Sequence, residues 1–138
     1  MMIRAALTAL WLAALSSPTL ACAVHEPLET GDFAFDQVVL RGTMSDYSWD
    51  EGQATFTVHV TEVIAGKAPG QITVLWSGPM AETAPPVWDR PPDMILGLTP
   101  PQAGAEWALT ATICGEAHLM ADTVQNRRAI SVVLGQRG

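Results

Sequence analysis

Basic residues are scarce in this sequence. Lysine and arginine together number 7 against 14 aspartates and glutamates, which gives a formal net charge of −7. A chain this acidic repels phosphate backbones and anionic lipid headgroups. Nucleic acid and anionic membrane surfaces are therefore excluded as partners, and the negative charge is interpreted as a solvated surface.

Long apolar stretches are also missing. Residues 5–15 are apolar or small apart from Thr8, and Arg4 precedes them. This run is shorter than the roughly 20 apolar residues that span a hydrocarbon core of about 30 Å. A short apolar run behind a positive charge is typical of a secretory signal peptide. The sequence thus predicts no stable membrane span, a signal peptide over residues 1–21, and one periplasmic or secreted domain over residues 22–138.

The signal peptide can end at two places. Cleavage after Ala23 fits the A-x-A pattern, and it discards Cys22. Cleavage after Ala21 lies nearer the end of the apolar run and leaves Cys22 as the first mature residue. We favour the cut after Ala21. A lipid anchor on Cys22 ranks below plain export, because Thr19 stands where lipobox sequences usually have leucine.

Cysteine is limited to Cys22 and Cys114, and no C-x-x-C motif occurs. Redox and haem-attachment motifs are therefore lacking. Two thiols in an exported domain usually pair, so a Cys22–Cys114 disulfide is predicted. In the chain-entropy model, a disulfide that closes the loop between these two cysteines stabilises the fold by roughly 4–5 kcal/mol.

The clearest strand pattern lies in residues 53–77. Phe56, Val58 and Val60 alternate with Thr55, Thr57, His59 and Thr61, and the alternation resumes over residues 71–77 after a Gly/Pro turn. A period of two predicts a hairpin with one apolar and one polar face. Its first strand is longer than the usual five or six residues and must coil, which favours a barrel over a flat sheet.

Further strands are predicted on either side of this hairpin. The first is centred on residues 37–44, where Gly42 indicates a bulge or bend, and a turn is expected over residues 45–52. Residues 94–98 and 105–113 supply the others. The predicted fold class is all-β, a five- or six-stranded OB-like barrel.

A short C-terminal helix is predicted over residues 123–134. Thr123 or Asp122 can cap its start, and Gly135 can end it. Apolar residues that suit a stripe against the barrel are Val124, Ile130, Val133 and Leu134. Several residues here are β-branched, so a final strand is the competing interpretation.

A proline-rich region over residues 78–104 holds seven of the ten prolines. Long loops in compact domains are commonly functional or disordered. Trp88 within it is a candidate recognition anchor. The alternative, which we prefer, is that Trp88 folds back to plug an open end of the barrel.

Four segments resemble a known family: Leu20-Ala21-Cys22, residues 36–44, residues 56–67 and Ile72-Thr73-Val74. In this order they are similar to small exported bacterial proteins with a netrin/TIMP-like OB fold. Val24 stands where the family has a second cysteine, so only one disulfide is implied. In the animal inhibitors of this fold, the amine and carbonyl of an N-terminal cysteine chelate a protease zinc, which Cys22 could imitate if the chain is cut after Ala21.

Two chemical alternatives remain open. His118 and Met120 are ligand types that suit copper, which predicts a metal-handling protein. Glu116 and His118 close to Cys114 suggest a small hydrolase, although a disulfide-bonded cysteine is no nucleophile. No cofactor motif is found.

The preferred hypothesis is an exported, non-enzymatic binding or interaction module. Its partner is an unknown protein or small ligand. The candidate binding surface comprises Trp88, His59 and Cys22.

Overall fold

The computed structural model describes residues 27–77, 81, 93–103, 106–111 and 116–137. Within them, a 3₁₀ helix over Thr30–Phe35 precedes the first strand. The strands are β1 (Val38–Asp50), β2 (Gln53–Ala65), β3 (Gln71–Ser77), β4 (Met94–Thr99), β5 (Trp107–Leu109) and β6 (Leu119–Ala121). One α-helix, α1 (Val124–Gly135), follows them.

Five strands close into a barrel in the order β1-β2-β3-β5-β4, with β4 pairing back onto β1. Strands β3 and β5 are parallel, whereas β1–β2, β2–β3, β1–β4 and β4–β5 are antiparallel. The predicted all-β, OB-like barrel with a short C-terminal helix is confirmed. The competing strand interpretation for the last segment is wrong, because the Thr123 side chain accepts a hydrogen bond from Asn126 N and caps α1.

The interior of the barrel is filled by the alternating apolar positions of its strands. Successive strand residues point to opposite faces, so every second residue of β2 and β3 is buried. The main core consists of Val38, Leu40, Met44, Ala54, Phe56, Val58, Ile72, Val74, Trp76, Ala81, Met94, Leu96, Leu98 and Leu109.

A second, smaller core lies on the outside of the barrel. Val39 and Ile95 point outward from β1 and β4, and they are buried by Phe33 of the 3₁₀ helix and Ile130 of α1. Leu134 packs against the same cluster, as the predicted stripe requires. Val124 does not, because it is exposed on the opposite side of α1.

The β1–β2 hairpin is longer than predicted. Residues 45–50 belong to β1, and only Glu51 and Gly52, with φ of 47° and 83°, form the turn. Positive φ at both turn positions matches the right-handed twist of the flanking strands. A bulge at Asp46, with φ of 56°, accommodates a register shift between β1 and β2. In the sequence this irregularity looks like the end of a strand. The irregularity predicted at Gly42 is confirmed by a register shift there.

Strands β5 and β6 lie along the same edge of β4. Leu98 pairs with Leu109 of β5, and Leu96 pairs with Leu119 of β6. The strand predicted over residues 105–113 is therefore shorter within the described part of the chain, and β6 was not predicted. Between the two pairings, Gly97 N donates to His118 O and Thr110 N donates to Gly97 O. This arrangement places His118 over the middle of β4.

Several sequence predictions fall outside the described residues. They are the signal peptide over residues 1–21, Cys22, Cys114, Trp88 and most of the proline-rich region. Within the described ranges, no helix is long and apolar enough to cross a membrane.

Candidate functional site

A buried histidine–aspartate pair lies between the 3₁₀ helix and β6. His118 Nδ1 is 2.7 Å from Asp36 Oδ2 and 2.9 Å from Oδ1, so the ring donates to the carboxylate. Both residues are only 3% exposed. Buried groups of this kind need such partners, because desolvation without a hydrogen bond costs several kcal/mol.

Three neighbours position the pair. Asp36 directly follows the 3₁₀ helix, and His118 directly precedes β6. Gly97 of β4 lies beneath them, and its missing side chain leaves the space that the Asp36 carboxylate fills. The Phe33 ring covers the imidazole with a centroid distance of 5.4 Å. The pair thus ties the chain ahead of β1 to β6, across the outer wall of the barrel.

The other imidazole nitrogen, His118 Nε2, is buried without a hydrogen-bond partner. A carboxylate on Nδ1 is also a common partner of a metal-bound or catalytic histidine. However, the described residues contain no group of three His, Cys, Asp or Glu side chains that could hold a metal. Met120 is half-buried against the second core. The copper hypothesis for His118 and Met120 remains a prediction.

Arg41 is the centre of an ion-pair cluster on the outer wall. Its guanidinium nitrogens lie 2.8 Å from Glu62, 3.3 Å from Asp93 and 2.8 Å from Asp122. Asp122 in turn pairs with Arg127 of α1 at 2.9 Å. Arg41 Nε lacks a well-directed hydrogen bond despite its short distance to Asp122, so that contact is purely ionic.

The charges in this cluster determine the protonation of Arg41. Partial burial acts to lower the pKa of the guanidinium. The hydrogen bond to Asp93 and the charges of Asp122, Glu62 and Asp93 outweigh burial and raise the pKa above its ordinary value. Arg41 is therefore a permanent cation that joins β1 to β2, to the start of β4 and to the residues before α1.

His59 is exposed on the outward face of β2, as predicted. Its Nε2 lies 3.2 Å from the hydroxyl of Ser45. It pairs across the sheet with Thr43 on one side and Gln71 on the other. Of the three residues in the predicted binding surface, His59 is the one that the structure describes, since Trp88 and Cys22 lie outside the described ranges.

Sequence reasoning missed the buried pair and the ion-pair cluster. Asp36 occurs in the first-strand motif, but no periodicity indicates that it is buried. One usable signal existed, which is Gly97 inside the apolar run of β4, because glycine within a strand often marks a close approach.

No protein-family model matches this chain, and no curated protein matches it. The resemblance to netrin/TIMP-like proteins therefore remains a prediction from the motifs and is consistent with the barrel.

Proposed function

We propose that this protein is an exported, non-enzymatic binding module of the netrin/TIMP-like type. Its binding surface is the outward side of β1, β2 and β3 around His59, here called the His59 face. The face consists of Thr43, Ser45, Thr55, Thr57, His59, Gln71 and Thr73. In OB folds the face formed by the second and third strands commonly carries the ligand.

The observation that carries the proposal is the chemistry of this face. Seven neighbouring side chains offer hydroxyl, amide or imidazole groups, and the Asp46 carboxylate, which accepts a hydrogen bond from Ser45 Oγ at 2.8 Å, lies at the edge of the face. The side chains directly opposite each other on adjacent strands are about 5 Å apart. Thr57, between Ser45 and Thr73, is the centre of one such row.

This arrangement suits a neutral, polar ligand. Hydroxyl and amide groups both donate and accept hydrogen bonds, whereas a carboxylate only accepts. Within the described residues, the side chains of Thr55, Thr57 and Thr73 make no hydrogen bond to the protein. They are free to bond to a small molecule or to the polar rim of a protein partner.

The test is a screen of the ¹⁵N-labelled mature protein against a library of neutral polar small molecules, read by amide chemical shifts. We expect the largest changes in amide chemical shift in β2 and β3, around Thr57 and His59. Thr57→Val and His59→Ala should each weaken any hit at least fivefold, whereas Gln125→Ala on α1 should not. The assignment of this face would be refuted if the chemical-shift changes lay elsewhere, or if neither variant weakened the binding of any hit.

Export is tested separately by the intact mass of the protein purified from its native compartment. We expect a chain that begins at Cys22, carries no lipid and gains two hydrogen atoms on reduction. A mass that retains residues 1–21 would contradict export without affecting the binding face.

A further inference from the structure

The outer side of α1 carries a groove that the barrel does not cover. It is lined by Val124, Arg127, Arg128, Ser131 and Val132. Val124 and Val132 are 62% and 61% exposed, although α1 buries Ile130 on its opposite side. Residues four apart lie on one helix face, so Val124, Arg128 and Val132 form a continuous stripe. We call these five residues the α1 groove.

The α1 groove is positively charged in a negatively charged protein. The net charge of the chain is −7, yet α1 contains no aspartate or glutamate. Arg127 is partly neutralised by Asp122. Arg128 makes no ion pair with any described residue. The groove therefore combines exposed apolar side chains with an uncompensated cation.

The β1–β2 hairpin ends in the opposite chemistry. Asp50 and Glu51 are exposed beside Trp49, which is itself 37% exposed. We call residues 49–51 the hairpin tip. The tip carries an indole and two carboxylates, and the groove carries two valines and two arginines, so the two surfaces complement each other in charge and polarity.

These two surfaces cannot meet within one chain. The helix packs on the second core, which contains Val39 near the start of β1. The hairpin tip lies at the end of β1, eleven residues further along the strand. At about 3.3 Å per residue the separation is roughly 30 Å once the coiling of the strand is allowed for. A contact between the hairpin tip and the α1 groove must therefore join two molecules.

We propose that the protein self-associates head to tail, with the hairpin tip of one copy in the α1 groove of the next. Asp50 and Glu51 face Arg127 and Arg128, and Trp49 covers Val124 and Val132. Because the two surfaces differ and lie apart on the chain, the contact is heterologous and leaves a free groove and a free tip at the ends of each assembly. This proposal is independent of the His59 face.

Sedimentation velocity of the mature protein over a concentration series tests this. We expect the average mass to rise with concentration and to fall when salt screens the charges. Arg128→Glu and Asp50→Lys, both at exposed positions, should each raise the concentration needed for association at least tenfold. Lys67→Glu, which alters a basic residue at the β2–β3 turn, should leave association unchanged.

Mixing the two charge variants distinguishes this contact from other modes of association. Arg128→Glu keeps an intact tip, Asp50→Lys keeps an intact groove, and the two reversed charges attract each other, so an equimolar mixture should associate although each variant alone does not. Circular dichroism should show both variants folded. Three outcomes would each overturn the proposal: the parent protein stays monomeric, the variants associate like the parent, or the mixture stays monomeric. In the first two cases the groove would need a different partner.

Discussion

The Asp36 carboxylate occupies the space in which Gly97 has no side chain. A Cβ on Gly97 would lie 1.8 Å from Asp36 Oδ2 and 2.9 Å from His118 Cβ. Contacts under 3.0 Å require atoms to move, and here the atoms belong to a buried, hydrogen-bonded pair. Gly97 is thus the residue of β4 on which the geometry of the Asp36–His118 pair depends.

Gly97→Ala should destabilise the protein by about 2–4 kcal/mol, because the added methyl group displaces a buried carboxylate from its partner. The midpoint of urea unfolding measures this. Gly70→Ala is the matched control, since nothing lies within 4 Å of its Cβ position. A Gly97→Ala midpoint equal to that of the control would contradict the packing described here.

The Asp36–His118 pair should show strong energetic coupling. His118→Ala leaves a buried carboxylate without its donor, and we expect a loss of about 3–5 kcal/mol. Asp36→Ala leaves Nδ1 unsatisfied, and the double variant should lose clearly less than the sum of the two. Urea unfolding of all four proteins completes the cycle.

The exposed Ser45–His59 contact provides the control cycle, because its 3.2 Å hydrogen bond faces solvent. Its coupling should be close to zero. Additive effects at Asp36 and His118 would show that their short distance contributes nothing to stability.

The Arg41 cluster should contribute to stability in a salt-dependent way. Arg41→Met leaves Asp93 and Glu62 without their ion pair and leaves Asp122, whose side chain is 4% exposed, with Arg127 alone. The melting temperature of Arg41→Met should lie below that of the parent, and the difference between the two should be smaller in high salt. Lys67→Met, at an exposed position, should change it little. Equal shifts for the two variants would mean that the cluster is energetically neutral.

The pH dependence of the Arg41 effect follows from the raised pKa of its guanidinium. A group whose pKa is raised on folding contributes stability that is fully present below its unfolded pKa and lost above its folded pKa. For arginine that loss occurs only in strong alkali. The difference in melting temperature between the parent and Arg41→Met should therefore stay constant across the alkaline side of neutrality.

Local patterns were sufficient to predict much of the barrel. The period of two over β2 and β3 predicted both the hairpin and the outward position of His59, and the Thr123 cap predicted where α1 begins. These features depend on residues a few positions apart. They are therefore visible in a window of the sequence.

The buried pair could not be predicted in this way. Asp36 and His118 are 82 positions apart, and they meet only because β6 continues the pairing of β5 along β4. That continuation depends on two backbone hydrogen bonds, from Gly97 N to His118 O and from Thr110 N to Gly97 O, which leave no periodic signal in the sequence. Short β6, with three residues, is likewise below the length at which alternation is informative.

The β1–β2 turn offers a route to higher stability. Glu51 adopts a φ of 47°, which asparagine tolerates better than glutamate. Glu51→Asn creates the Asn-Gly pair preferred in two-residue hairpins and should stabilise the protein by about 0.5–1 kcal/mol. Gly52→Ala, at a φ of 83°, should destabilise it by about 1 kcal/mol. Urea unfolding decides, and a loss of stability in Glu51→Asn would contradict the turn geometry.

Phe33 and Phe35 provide a final test, because both are phenylalanines of the same 3₁₀ helix but differ in burial. Phe33 is fully buried in the second core, whereas Phe35 is 91% exposed. Phe33→Ala should cost about 3–5 kcal/mol, since it opens a cavity beneath α1 and beside the His118 ring. Phe35→Ala should change the free energy of unfolding by less than about 0.5 kcal/mol. If urea unfolding instead showed the larger loss for Phe35→Ala, the 3₁₀ helix would have to be rotated about its axis, and Asp36 would no longer face His118.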